Sequence, residues 1–268
     1  IERLGAWRVE GGMGRLIAVM ETLARARGAV VRHGAEVREV VVEAGRAAGV
    51  RLADGEAVAA RAVIVNADAA AIPAGRLGAA AARAVEAVPP ARRSFSAVTW
   101  AMRGRVAGQV ATQTVFHPPD PTAEYAEIAY RGRLPRAPAV TLWDQGGGCA
   151  LVSVNAPARA DAAPVQAEAL TALDGAVFGA MRDAGVTIGR EAEIVTTPDD
   201  FERLFPGTGG ALYGPAAQGW QAAFNRPGAR TRLPGLYLAG GGTHPGAGVA
   251  MAALSGRFAA ARVMEDRA

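Results

Sequence analysis

The chain has 268 residues, half of them hydrophobic, so it is long enough to bury a sizeable core in one or two domains. Its formal net charge is +4, and all 29 basic residues are arginines, which leaves no lysine for a Schiff base or a phosphate clamp. The arginines are scattered and aromatic residues make up only 6% of the chain, which favours solvated surface arginines over a nucleic-acid-binding patch. Attraction to anionic lipid headgroups is the alternative use of this charge.

The first 90 residues are predicted to form a helix followed by short strands. Gly11-Gly12-Met13-Gly14 leads into an amphipathic helix that ends at Gly28. Strands are predicted at 29–32, 37–42, 49–52 and 62–65, with turn signals such as Asp54-Gly55 between them. The last of these strands ends in Asn66-Ala67-Asp68, where Asp68 is suited to cap the Ala-rich helical region predicted at 69–88.

Residues 91–205, which follow the Pro89-Pro90 linker, are predicted to form a sheet backed by helices. Apolar and β-branched residues predict strands at 94–103, 112–116, 139–143, 150–155 and 193–196. Helical spacing of apolar residues predicts an amphipathic helix at 164–184, and a short helix at 198–205 is entered at a proline. We interpret this part of the chain as a mixed sheet.

The stretch from Leu236 to Arg257 predicts a buried strand, a Gly-rich loop and a helix. Five glycines in the loop allow close backbone approach and positive φ, namely Gly240, Gly241, Gly242, Gly246 and Gly248. The N–H groups of the first helical turn, at 248–251, would point towards an anion or a polarised carbonyl. A tight strand-to-helix turn without any ligand is the alternative.

Several other motifs of binding and catalysis are absent from the chain. The loop lacks the Lys-Ser/Thr ending of a P-loop, and no Gly-x-Gly-x-x-Gly follows a strand. His33, His117 and His244 have no partner at metal-ligand spacing and Cys149 is the single cysteine, so we predict neither a metal site nor a disulfide. We assign no catalytic acid or base.

The Gly-rich stretch carries a family resemblance. Gly240-Gly-Gly-Thr-His-Pro-Gly-Ala-Gly-Val249, followed by Leu254-Ser-Gly-Arg257, resembles the C-terminal flavin-contacting motif of the phytoene desaturase family of carotenoid desaturases. The upstream run Gly209-Gly-Ala-Leu-Tyr-Gly214, together with Gly219-Trp220, Phe224 and Arg226-Pro227, resembles the hydroxyneurosporene (methoxyneurosporene) desaturase branch. The resemblance runs from about Trp7 to the end of the chain and is weaker in the middle.

This resemblance implies an α/β (α+β) fold with two domains. A glutathione-reductase-type FAD-binding domain would consist of residues 1–90, including a β-meander, and of residues 206–268, with a mixed-sheet substrate domain at 91–205. The implied cofactor is FAD. The N-terminal βαβ unit of such a domain, with its Gly-x-Gly-x-x-Gly turn, is missing here. Because the sequence also opens at Ile1 without a methionine, we expect a fragment of a longer flavoprotein.

The resemblance also implies the binding residues. The position matching Val37 contacts adenine through its backbone, and the end of the strand at 62–65 lies beside the cofactor. The implied FAD-binding residues are Val37, Asn66, Asp68, Gly240, Gly241, Gly242, Thr243, His244, Gly246, Gly248, Val249 and Ala250. The implied substrate contacts are Met13, Tyr213, Trp220 and Phe224.

The implied function is FAD-dependent desaturation of C–C to C=C in an acyclic carotenoid, with a 1-hydroxy or 1-methoxy carotenoid as the expected substrate. Because such a polyene dissolves in lipid, we expect a peripheral protein on the cytoplasmic side of a membrane, and no apolar run is long enough to span a bilayer. The alternatives are a carotenoid isomerase or an amine-oxidase-like enzyme on the same scaffold. A non-catalytic chain that binds apolar ligands or a partner is a further alternative.

Overall fold

The computed structural model describes residues 9–216 and 226–268. In chain order the elements are α1 Met13–Ala26, β1 Val37–Glu43, β2 Arg46–Leu52, β3 Ala57–Ala59, β4 Val63–Val65, β5 Ser96–Arg103, β6 Val106–Ala107, β7 Gln113–Phe116, α2 Pro121–Tyr125, β8 Val140–Gly146, β9 Cys149–Ala156, α3 Ala167–Asp183, β10 Thr187–Ile188, β11 Ala192–Thr196, α4 Pro198–Leu204, β12 Leu236–Leu238 and α5 Val249–Glu265. The chain divides into two compact units, one up to Glu36 and one from Val37 onwards. Among the described residues, no helix has both the length and the apolar character required to cross a bilayer.

The first unit contains α1, which confirms the predicted amphipathic helix. The helix begins after Gly12, whose φ is 82°, and the chain leaves it through Gly28 at a φ of 87°. Glu21 accepts hydrogen bonds from Arg25 one turn later and lies 3.1 Å from His33 Nε2. The prediction of a strand at 29–32 is wrong. The described part of this unit contains no second strand with which these residues could form a hydrogen-bonded ladder.

The second unit starts with the predicted meander, in which β1, β2 and β3 pair antiparallel in that order. Ala44 and Gly45 make the first turn with positive φ, and the Asp54 carboxylate accepts the amide of Glu56 in the second. The predicted buried strand β4 pairs in parallel with β12. Apolar residues of β1, β4 and β12 share one core, which includes Val40, Leu236 and Leu238.

The Ala-rich segment at 69–88 is not the predicted helix. It contains a single 3-10 turn, Ala69–Ala71, and then a series of turns that includes Gly75 and Gly78 at positive φ. Ala69, Ala81 and Ala84 are instead buried in the core that they share with the parallel strands, and Ala81 is fully buried. Tight packing of small side chains therefore outweighs the high helix propensity of alanine here.

Residues 91–205 form the predicted sheet, but its topology corrects the prediction. The order is β11-β5-β9-β8-β7 and every neighbouring pair is antiparallel, so the sheet is not mixed. A tight turn through Gly146, Gly147 and Gly148, all at positive φ, returns β8 directly into β9, and such a short connection allows only antiparallel pairing. The predicted helix α3 packs on this sheet through Leu173, Val177 and Met181.

A polar network closes the sheet against α3. The side chain of Trp100 is 1% exposed, and its Nε1 donates a hydrogen bond of 3.0 Å to Asp174 Oδ1. Arg190 bonds to both oxygens of Asp174 and both of Glu193, and its guanidinium lies 4.4 Å from the ring centre of Phe178. The buried indole N–H is therefore satisfied by a carboxylate that is itself held in place.

Candidate functional site

The carboxyl ends of the parallel strands β4 and β12 lie at one edge of their sheet. Leu238 is paired with Val65, and the next amide, that of Ala239, donates to the Val65 carbonyl at 3.0 Å. The chain then enters Asn66-Ala67-Asp68 on one side and Gly240-Gly241-Gly242 on the other. The two segments predicted as cofactor contacts are thus adjacent, at the edge where parallel sheets bind their ligands.

Two of the loop glycines are required by contacts inside the protein. A β-carbon on Gly240 would lie 2.9 Å from Asn66 Oδ1, and one on Gly242 would lie 2.8 Å from Asp68 Oδ2. A β-carbon on Gly246 would meet the Arg226 side chain at 3.5 Å, in ordinary contact. Packing of the loop against the end of β4 therefore explains why positions 240 and 242 are glycine.

Gly248 differs from these glycines because it faces open space. Its φ is 104°, and a β-carbon there would have no heavy atom within 4 Å. It precedes α5, where no side chain caps the helix start. The first N–H groups of α5, at Val249 and Ala250, therefore point towards an exposed surface with the positive end of the helix dipole behind them.

Thr243 and His244 shape the loop between these glycines. Thr243 is 2% exposed, and its amide donates to the Gly240 carbonyl at 3.2 Å. The His244 amide donates to the Pro227 carbonyl at 2.9 Å, and its exposed ring stacks on Phe258 with centroids 6.2 Å apart. The His244-Pro245 peptide is cis. These contacts give His244 a packing role at the loop.

A buried serine links the loop to α5 and was missed by the sequence analysis. Ser255 Oγ accepts the Gly240 amide at 2.7 Å and donates to the Ala252 carbonyl at 2.6 Å. The residue is fully buried. Its position inside a helix could be predicted, whereas its partner fifteen residues earlier in the chain had no sequence signal.

The predicted capping role of Asp68 is confirmed, and this residue also lines a cavity. Its Oδ1 accepts the Ala70 amide at 2.9 Å, at the start of the 3-10 turn. Burial raises the pKa of the Asp68 carboxyl, and the Ala70 amide and the positive charges of Arg226 and Arg93 oppose this shift. Asp68 also lines a cavity of about 420 Å³ together with Gly242 and Arg226.

Arg226 is an exception to the prediction that the arginines lie on a solvated surface. Its Nη1 donates to the carbonyls of Tyr213 at 2.8 Å and Gly241 at 3.0 Å, and its Nη2 donates to that of Pro215 at 3.3 Å. Burial lowers its pKa, and the charge of Asp68 opposes that effect. Arg226 thus fastens the Gly-rich loop to the 213–215 segment.

The other predicted site residues are distributed differently. Val37 begins β1 and pairs with Leu52, so it belongs to the meander. Met13 lies at the first position of α1 in the first unit and is 49% exposed. Tyr213 joins the site through its carbonyl bond to Arg226, while Trp220 and Phe224 lie outside the described residues.

A second cavity, of about 470 Å³, lies in the antiparallel-sheet region. Its wall includes Phe95, Tyr125 and Tyr130. The ring centroid of Tyr125 lies 5.8 Å from that of Phe95 and 5.7 Å from that of Tyr130. Ile128 and Ala158 add buried apolar surface. In residues 9–216 and 226–268 no group of three or more His, Cys, Asp or Glu is placed to hold a metal ion. The chemistry available is therefore apolar binding in this cavity and backbone donors at α5.

Comparisons with known proteins agree with the motif resemblance. The model of the family described as flavin containing amine oxidoreductase matches residues 2–264. A hydroxyneurosporene desaturase of Rubrivivax gelatinosus is 43% identical over 98% of this chain and 53% of its own length. The corresponding protein of Rhodobacter capsulatus is 35% identical over 98% of this chain and 55% of its own length. The chain spans about half the length of the curated relatives it matches.

A more distant relative and a solved structure extend the comparison. The 4,4'-diapolycopene oxygenase of a Methylomonas species is 28% identical over 98% of this chain and 56% of its own length. A crystal structure of an oxidoreductase from Methanosarcina mazei has a TM-score of 0.50 at 19% identity, covering 95% of this chain and 54% of that one. The predicted resemblance to carotenoid desaturases is confirmed, and the α/β fold is shared with an oxidoreductase.

Proposed function

The chain belongs to the family of flavin-containing amine oxidoreductases, and on this basis we propose that it forms part of an FAD-dependent carotenoid desaturase. The proposed substrate is an acyclic carotenoid, of the 1-hydroxy or 1-methoxy kind. The observation that carries the proposal is the loop at the end of β12, where Gly248 opens onto free space before an uncapped helix. The identity of 43% to a hydroxyneurosporene desaturase supports the substrate class.

The residues at this loop fit a flavin. The uncapped start of α5 offers N–H donors and the positive end of a helix dipole to a polarised carbonyl or a phosphate oxygen. Gly248 leaves space for a planar group to approach the backbone. Bound FAD supplies the acceptor for the hydride that leaves one substrate carbon, while a proton leaves the adjacent carbon and C–C becomes C=C. The chain's own residues orient and shield the reacting carbons.

We assign FAD contacts to the predicted residues of the loop and of the end of β4. Adenine would lie by Val37, and the flavin by the segment from Gly240 to Ala250. The proposed cofactor domain comprises residues 1–90 and 206–268, and the proposed substrate domain comprises residues 91–205. Two separate hydrophobic cores within residues 37–268 support this division. One draws on residues 40–85 and 233–238, and the other on residues 98–195.

The aromatic cavity is the proposed polyene site. Its volume of about 470 Å³ suits one end of a long apolar molecule, and its wall carries Phe95, Tyr125, Ile128 and Tyr130. Aromatic faces bind a conjugated chain by dispersion and exclude water. The wall of this cavity is connected to the Gly-rich loop by hydrogen bonds. Ser94 accepts the amide of Tyr213 at 2.9 Å, and Arg226 donates to the carbonyls of both Tyr213 and Gly241.

Peripheral attachment to the cytoplasmic face of a membrane completes the proposal, since a carotenoid is stored in lipid. Large apolar side chains on the surface support it, with Tyr130 80% exposed and Ile194 70% exposed. Leu204 and Phe205 add further exposed apolar surface at the end of α4. Such side chains partition favourably into the interfacial region of a bilayer.

The test is anaerobic reduction of the bound flavin by an acyclic 1-hydroxy carotenoid, with the full-length protein in lipid vesicles. The visible absorbance of the flavin should bleach while the carotenoid spectrum moves to longer wavelength, because each new C=C extends conjugation. Tyr130→Ala should raise KM for the carotenoid with little change in kcat, because this exposed ring only helps to hold the polyene. Arg232→Gln, at an arginine whose side chain is 71% exposed, is the control.

Other outcomes identify the alternatives. A geometric change in the carotenoid without flavin bleaching would indicate an isomerase. Bleaching by amines instead of carotenoids would indicate an amine oxidase. A full-length protein that binds carotenoid but no flavin would contradict the proposal and favour a non-catalytic apolar binder.

A further inference from the structure

Arg226 has an unusual set of partners for an arginine. Its guanidinium donates hydrogen bonds to three backbone carbonyls, those of Tyr213, Pro215 and Gly241. One nitrogen, Nη1, reaches both the 213–215 segment and the Gly-rich loop. The planar, five-donor guanidinium can bridge acceptors in this way, whereas the compact ammonium of lysine cannot hold the same fork.

The two segments that Arg226 joins are in close contact. A β-carbon on Gly214 would lie 2.8 Å from the Gly242 Cα and 3.4 Å from Arg226 Nη1. Gly214 also has a φ of 67°, where glycine is favoured. The next residue after Arg226, Pro227, accepts the His244 amide at 2.9 Å. The distance between the segments is thus set by backbone contact on one side and by the guanidinium on the other.

The charge of Arg226 is balanced across the adjoining cavity. Arg226 and Asp68 both line the cavity of about 420 Å³. Asp68 lies beside Gly242, where a β-carbon would come within 2.8 Å of Asp68 Oδ2. A half-buried cation needs such compensation, because removal from water disfavours its charged form. Arg226 therefore bonds to the Gly-rich loop at Gly241, while Asp68 lies beside Gly242.

We propose that Arg226 is a positioning residue for the flavin site. Its three carbonyl bonds fix the Gly-rich loop at its spacing from the 213–215 segment, and thereby the direction of the loop as it enters α5. The inference rests on the proposed function, since the object positioned is the loop that contacts the flavin. Arg226 itself acts through the backbone and has no part in hydride or proton transfer.

The first experiment measures FAD affinity and thermal stability of the full-length protein carrying Arg226→Lys or Arg226→Gln. The dissociation constant for FAD should rise by about tenfold to hundredfold, in the order wild type, Lys, Gln, because the bonds lost come from a charged donor. The visible spectrum of the remaining bound flavin should also shift as its surroundings loosen. Arg232→Gln is the matched control, since its side chain is 71% exposed, and it should leave both measurements unchanged.

A second pair of variants perturbs the same spacing without touching the arginine. Gly214→Ala places a methyl group 2.8 Å from Gly242 Cα and should weaken FAD binding to a similar extent. Gly147→Ala is its control, because Gly147 has a similar φ of 61° and a β-carbon there meets no heavy atom within 4 Å. Together the two pairs separate a change in spacing from the loss of a charge.

The outcomes distinguish the inference from the function beneath it. If Arg226→Lys and Gly214→Ala lower the melting temperature but leave the FAD dissociation constant and spectrum unchanged, Arg226 is only structural and the inference is wrong, while the desaturase proposal stands. If the wild-type full-length protein binds no FAD, the proposed function fails and the inference with it.

Discussion

Replacement of Gly248 by alanine gives the sharpest test of where the cofactor lies. Gly248 has a φ of 104°, and its missing β-carbon faces no heavy atom within 4 Å. Alanine would therefore collide with nothing in the protein, but its methyl group would occupy the open space beside the start of α5. Any bound group that uses those donors would be pushed away.

The cost of the backbone strain can be separated from the cost of the lost ligand. Alanine at the φ of 104° and ψ of 151° of Gly248 costs about 1–3 kcal/mol of folding free energy, because that region is almost exclusive to glycine. Gly55 provides a control for this strain, because its φ is 93° and its β-carbon would also meet no heavy atom within 4 Å. It lies in the turn between β2 and β3, outside the Gly-rich loop. Gly55→Ala and Gly248→Ala should therefore both destabilise the flavin-free protein.

The assay combines urea unfolding of the flavin-free protein with fluorescence titration of FAD, both on the full-length protein. Gly248→Ala should raise the dissociation constant for FAD by about tenfold to hundredfold, since one charge-assisted or polar contact at the helix start is worth about 1.5–3 kcal/mol. Gly55→Ala should leave it unchanged. Equal FAD affinity in the two variants would refute the placement of the flavin at Gly248.

Three further predictions concern stability, pH and catalysis. Asp174→Leu should destabilise the protein by about 1–3 kcal/mol more than Asp174→Asn in urea unfolding, because only asparagine keeps an acceptor for the buried Trp100 N–H. The hydrogen bonds from Arg93 lower the pKa of Asp161, so this pair stabilises the protein above the ordinary aspartate pKa of about 4 and ceases to do so as the pH falls through the lowered value. Asp161→Asn should therefore shift the urea midpoint at pH 7, and this shift should shrink as the pH falls below the ordinary aspartate pKa. His244→Ala should keep turnover within about tenfold, whereas a loss of about a thousandfold with flavin still bound would assign acid–base chemistry to the ring.

The parts of the fold that could be predicted are those fixed by neighbours in sequence. The hairpin β1–β2 and the helix α3 follow from local turn residues and from apolar spacing. The parallel pair β4–β12 was predicted as two buried strands from their continuous apolar runs, and β12 is buried throughout whereas Ile64 of β4 is 46% exposed. The direction of pairing in the 91–205 sheet was not predicted, because the choice of partner for each strand depends on contacts between residues that are far apart in the sequence.

The candidate site shows the same limit at the level of side chains. The Gly-rich loop was predicted because glycine has a distinct backbone function. Arg226 and Ser255 were missed because their partners are carbonyls and amides, which every residue carries and which leave no pattern in the sequence. The Ala-rich segment was misassigned for a related reason, since small size serves tight burial as well as helix formation.

The glycines of the loop divide into two kinds, and this division bears on what the motif means. Gly240 and Gly242 lie where a β-carbon would crowd Asn66 and Asp68, so packing within the protein favours glycine there with or without a ligand. Gly248 has no such contact, but its φ of 104° is one that residues with a β-carbon rarely adopt, so its backbone conformation also favours glycine. The glycines alone therefore fit a strand-to-helix turn without a ligand as well as a flavin site. What Gly248 adds is open space beside an uncapped helix start, and the flavin assignment depends on whether FAD occupies that space.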